Sequence, residues 1–186
     1  MSRAIRIVIT VILACICQTD LVKYIRIAGV APDMMAVFLV LLTGYTGAYG
    51  GFCAGSVMAM LYDASVGYVL AINLVSYTFI GWAAPMLRQA MNNKLHRVKH
   101  KSYFELLVIC FFLVLVKEMV YIGYLFLIGA EQSIVTILRA LLCSAYSAVM
   151  ILPCSLIQNK IMSIHIMKKK KSEDLVGDSE EASRKR

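Results

Sequence analysis

Lys117, Glu118 and Arg139 each interrupt a long apolar run, and ionisable side chains in such surroundings are costly and need named partners. Lys117 and Glu118 are neighbours, so on a helix they point about 100° apart and do not share one face. Tyr121 and Tyr124 follow Lys117 at i+4 and i+7 and extend a polar stripe. On the next apolar run Thr136, Arg139, Cys143, Tyr146 and Ser147 form a second stripe. If the two runs are antiparallel helices, Glu118 and Arg139 stand at matching depth, and an intramembrane ion pair between them is expected. Contact with a ligand or partner is the alternative use of these charges. A proton relay is not expected, since no histidine lies within an apolar run and the acids are few.

Other chemistry has little to stand on. His96 and His100 are four residues apart, but Arg97, Lys99 and Lys101 crowd them and would repel a metal ion, and His165 stands alone beside a lysine run. The cysteines (Cys15, Cys17, Cys53, Cys110, Cys143, Cys154) all fall in apolar runs without CxxC spacing, which reads as packing. There is no Walker loop, no GxSxG and no HExxH. No catalytic residue, metal or cofactor is expected, and an enzyme is not the reading.

The elements that must hold these residues are membrane helices. Of 186 residues 60% are hydrophobic and 16% charged, with mean hydropathy +0.75, against about 25% charged in soluble domains. Six apolar segments separate, at 4–22, 32–46, 47–63, 65–87, 103–128 and 133–158. The first reads as a retained span behind Arg3 and Arg6. The second and third are short and meet in a glycine-rich stretch, which predicts two short helices joined by a tight turn, with a re-entrant pair as the alternative. Pro32 suits the first turn of the second span. Along the third span Gly47, Gly51, Gly55 and Ala59 recur every four residues. That stripe permits close backbone approach, either to a neighbouring span of the same chain or to a partner's helix. Asp63, shortly before Gly67, is expected to cap the turn into the fourth span, or to meet a partner.

Charge orients the chain. With six spans and an internal amino terminus, fifteen lysines and arginines fall inside, in the amino-terminal residues, the 88–101 loop and the tail; only Lys23 and Arg26 fall outside. By the positive-inside rule both termini are cytoplasmic, and the basic loop needs no nucleic acid to explain it. Residues 1–160 form a polytopic domain; 161–186 read as a cytoplasmic, disordered basic and acidic tail, with Lys168–Lys171 against anionic lipid.

One stretch carries a family pattern. Pro32-Asp33 opens a short apolar span, followed by Gly47-x-x-Gly50-Gly51-Phe52-x-x-Gly55 and Leu61-x-Asp63-x-x-x-Gly67, then Leu74-x-x-Tyr77-x-x-x-Gly81 and a basic exit at Arg88. This resembles the MreD family of rod shape-determining membrane proteins. Ala71-Ile72-Asn73 stand where such chains often have glycine. The resemblance implies a non-catalytic inner-membrane subunit of the cell-elongation machinery that builds peptidoglycan. Its implied partner is an MreC-like single-span protein, which links it to MreB filaments, RodA and a class B penicillin-binding protein. The implied fold is all-α with six transmembrane helices, similar to the S subunits of energy-coupling-factor transporters. A vitamin-binding S subunit is therefore the alternative function, though the first span lacks the Ala-x-x-x-Ala stripe typical of those subunits, having only Ala4 and Ala14.

Overall fold

The computed structural model describes residues 3–27, 29–66, 70–94, 102–129 and 133–184. These are helical almost throughout: α1 (Arg3–Ile16), a π-helical segment (Cys17–Leu21), α2 (Val22–Ile25), α3 (Met34–Val66), α4 (Leu70–Lys94), α5 (Ser102–Leu127) and α6 (Ile134–Arg184). Four stretches, Ala4–Ile25, Met34–Ser65, Phe104–Leu127 and Ile134–Ile161, are long and apolar enough to cross a membrane. The outward faces of α1, α5 and α6 are also apolar, with Val8, Ile12, Phe112, Val116, Leu152 and Leu156 exposed. A bundle that shows hydrocarbon side chains to its surroundings is solvated by lipid. The chain is an all-helical membrane protein.

α3 is two helices. At Gly47 the backbone leaves the helical region (φ 74°, ψ −171°), a conformation open almost only to glycine. On either side of this point the limbs meet: Thr43 Cγ2 lies 2.6 Å from where a Cβ on Gly51 would sit, and Leu39 Cδ2 3.3 Å from the same position on Gly55. Pairs 43/51 and 39/55 are symmetric about Gly47, so α3 is an antiparallel hairpin, as the glycine-rich stretch predicts. Gly47 itself makes the turn and is not part of a packing face; a Cβ there would meet nothing within 4 Å. Gly47→Ala should therefore cost only the backbone term, about 1–3 kcal/mol, without a clash. Thermal unfolding of the purified protein in detergent checks this.

The first limb is the hub. Every residue from Met34 to Thr43 is buried, which suits a helix apolar on all sides. α1, α4, α5 and α6 all pack on α3. The second limb crosses α4 at backbone distance, because Gly51 lies against the Gly81 carbonyl and Gly55 against that of Tyr77. Pro85 has no N–H to offer the Gly81 oxygen four residues back, so that carbonyl is free to face Gly51. Ala59 continues the buried face. Gly51, Gly55 and Ala59 thus serve internal packing within this chain.

Two further differences from the sequence reading concern α6 and Pro32. α6 runs on as helix to Arg184, where composition suggests an unstructured tail. Lysine, glutamate, leucine and alanine, which occur there, are residues of good helix propensity. Pro32 sits two residues ahead of the first helical residue, and Asp33 takes the capping position.

Candidate functional site: a polar cluster at one end of the bundle

The cluster begins at the cap of the buried limb. Asp33 Oδ1 accepts a hydrogen bond from the Ala36 N–H at 3.0 Å, the N-cap arrangement, and its charge is favoured by the helix dipole there. Two further donors of that helix end are met from other elements. Ser147 Oγ, on α6, accepts from the Asp33 N–H, and Gln18 Oε1, from the π-helical segment, accepts from the Met34 N–H, each at 2.8 Å. The π turn is what brings Gln18 to this position at the end of α1.

Asp33 is 3% exposed and is neutralised from α4 and α5. Tyr77 donates its hydroxyl to the carboxylate at 3.1 Å from both oxygens. Lys117 Nζ lies 2.5 Å from Asp33 Oδ2, 3.3 Å from the Tyr77 hydroxyl and 5.0 Å from the centre of its ring. One carboxylate thus ties the hub to α4 and α5 while capping its own helix. Buried charges need this degree of satisfaction to persist.

Glu118 meets Lys117 at 3.5 Å, the two side chains converging despite being adjacent in sequence. The expected Glu118–Arg139 pair is not formed. The ion pairs among the described residues are Lys117–Asp33, Lys117–Glu118 and the exposed Lys23–Asp20. Arg139 is exposed, and its guanidinium points toward Gly29 at the turn after α2. The physical reason is that the polar stripe of α5 faces the start of α3, where Asp33 offers Lys117 a buried anion. Asp63 is expected to cap the turn into α4, a turn whose residues lie outside those described. It lies within α3, is buried, and its Oδ1 accepts from Asn73 Nδ2 at 2.8 Å, joining α3 to α4. Gly67 lies outside the described residues, as do His96 and His100 and the side chain of His165.

Around the cluster is a cavity of about 450 Å³, lined by Gln18, Ala31, Pro32, Asp33, Tyr62, Ile72, Asn73, Tyr77, Lys117, Glu118, Tyr121, Tyr124 and Cys143. It lies within the volume range of small-molecule sites. Sequence reasoning picked out Lys117, Glu118, Tyr121 and Tyr124, but it missed Asp33 and Tyr77 as members of the site. The usable signal was an aspartate just before an apolar run, hence an N-cap carboxylate, in a chain with a buried lysine to spare.

No family model, curated protein or solved structure matches this chain.

Proposed function

We propose that this protein is an MreD-like scaffold of the bacterial elongation machinery, which works by binding an MreC-like membrane protein and neither turns over nor transports a substrate. The observation that carries this reading is where its family-like residues meet. Asp33 bonds Tyr77, Gly51 crosses Gly81, Gly55 crosses Tyr77, and Asp63 holds Asn73 beside them. The Pro-Asp, glycine and Leu-x-x-Tyr blocks are thus the joints of a single α3–α4 framework, which is how a pattern maintained for architecture behaves. Six spans complete the reading: α1 with α2, the two limbs of α3, α4, α5 and α6 as far as about residue 158. The membrane is then the inner one, with both termini cytoplasmic and the polar cluster toward the outer face, because Arg88, which opens the basic loop, stands against Gly44 near the hairpin turn at the opposite end. Through the MreC-like partner the protein would connect to MreB, RodA and a class B penicillin-binding protein.

Reporter fusions after residues 100 and 175 should be active only with a cytoplasmic reporter; periplasmic activity at either point removes the six-span topology. Depletion should round the cells and delocalise wall synthesis, and purification from membranes should retain the MreC-like subunit. The cavity favours one competing reading, a vitamin-binding S subunit. Collapse of uptake of one vitamin in depleted cells that stay rod-shaped, with no MreC-like protein co-purifying, would establish that reading instead.

A further inference from the structure

The charges that line the cavity do not balance. Asp33 and Glu118 supply two carboxylates, and Lys117 is the single cation that lies between them. Lys117 is not shared evenly: it stands 2.5 Å from Asp33 and 3.5 Å from Glu118. Asp33 is further satisfied by Tyr77 and by the helix cap, whereas among the described residues the long contact with Lys117 is the only ion pair or hydrogen bond that Glu118 makes. The Glu118 side chain is 22% exposed, so its carboxylate can be reached from the cavity while sitting in poorly solvated surroundings. A carboxylate so placed, with only part of one cation to offset it, is an incomplete ion pair. Tyr62, Tyr121 and Tyr124 line the same space from α3 and α5. Their hydroxyls offer acceptors, and aromatic faces attract cations further where water is scarce.

We propose that this cavity receives a cationic nitrogen group, an ammonium or guanidinium, that completes the Glu118 ion pair among the tyrosines. The group could be carried by a free amine or by a basic side chain of another protein; the chemistry that recognises it is the same. An anion is disfavoured because the one lysine is already held by two carboxylates. This inference stands apart from the scaffold reading, since it concerns the content of the cavity and not the identity of the partner.

The test uses the full chain in lipid nanodiscs, titrated with agmatine and choline as free cations, acetyl-arginine amide as the side-chain mimic, and acetate as the anion control. Binding is read by calorimetry. Agmatine or choline should bind and acetate should not, and Glu118→Gln should weaken cation binding by at least about tenfold. That variant keeps the Asp33–Lys117 bridge, and its monodispersity on size exclusion confirms folding. Tyr121→Leu, which leaves every charge in place, should weaken the same binding severalfold. Binding of the free amines without acetyl-arginine amide assigns the site to a small organic cation. Comparable binding of acetyl-arginine amide assigns it to a basic side chain. No binding by any of the three cations, binding indifferent to Glu118→Gln, or preferential binding of acetate overturns the proposal.

Discussion

Lys117→Met is expected to destabilise the protein by about 3–5 kcal/mol, the cost of leaving a buried carboxylate without its cation. Asp33 is enclosed by the hub, α4 and α5, and losing Lys117 removes its only ion-pair partner among the described residues. The reciprocal Asp33→Asn should also be severe, because among the described residues Lys117 then keeps no carboxylate except Glu118 at 3.5 Å, and the neutral Tyr77 hydroxyl cannot replace the lost charge. The double variant Asp33→Asn with Lys117→Met should be less damaging than the sum of the two, since no buried charge is left unpaired and Asn still caps a helix. Unfolding in detergent, followed by far-ultraviolet circular dichroism, measures all three. Additive losses would mean that the two residues do not act as a pair. Against this, Arg139→Gln should change stability little, because its guanidinium is exposed and holds no ion pair among the described residues.

The second large effect is expected where α3 crosses α4. Gly51→Leu or Gly55→Leu places a branched side chain against the carbonyl of Gly81 or Tyr77, where even a Cβ would overlap backbone. Backbone cannot give way as a flexible side chain can, so the cost should be at least about 3 kcal/mol, at or above the upper end for overpacking. Gly81→Leu should match it, since a Cβ on Gly81 would strike the Gly51 carbonyl from the other side. Loss of the monodisperse peak in detergent at these three positions, beside its retention in Gly47→Ala, is the expected pattern. Tolerance of leucine at Gly51 would show that the two helices do not cross there.

Much of the architecture was legible because membrane helices announce themselves in long apolar runs. The six segments fall on α1 with α2, the two limbs of α3, α4, α5 and α6, although α4 is not among the described stretches long and apolar enough to cross a membrane. The glycine-rich junction of the second and third segments did predict the hairpin. The four-residue spacing then carried the stripe one residue too far. Gly47 belongs to the same series as Gly51, yet it makes the turn, and spacing alone cannot tell a glycine that admits a neighbour from one that admits a positive φ. The polar partners were less legible. Glu118 was matched to Arg139 because consecutive helices are natural neighbours, and that logic looks along the chain. Asp33 instead reaches Lys117 from a central helix that touches nearly everything, and a hub of that kind is invisible until the bundle is assembled. The bond of Asp63 to Asn73 likewise depends on how α3 and α4 lie side by side, which spacing along the chain does not show.

The separation of Asp33 from Lys117 also sets an order on biogenesis. The cation follows the carboxylate by eighty-four positions in the chain. At about 5–20 residues per second, a ribosome needs on the order of ten seconds to make that length. Throughout that interval a carboxylate that is buried in the finished bundle has been synthesised and its counter-ion has not. Tyr77 emerges sooner, forty-four residues behind, but a neutral hydroxyl cannot cancel the charge. An ionised Asp33 is cheapest to keep at the water boundary or within the insertion machinery until its cation follows. The arrival of the fifth helix is what lets it settle, so the nascent protein is sealed by its penultimate segment and not by its first.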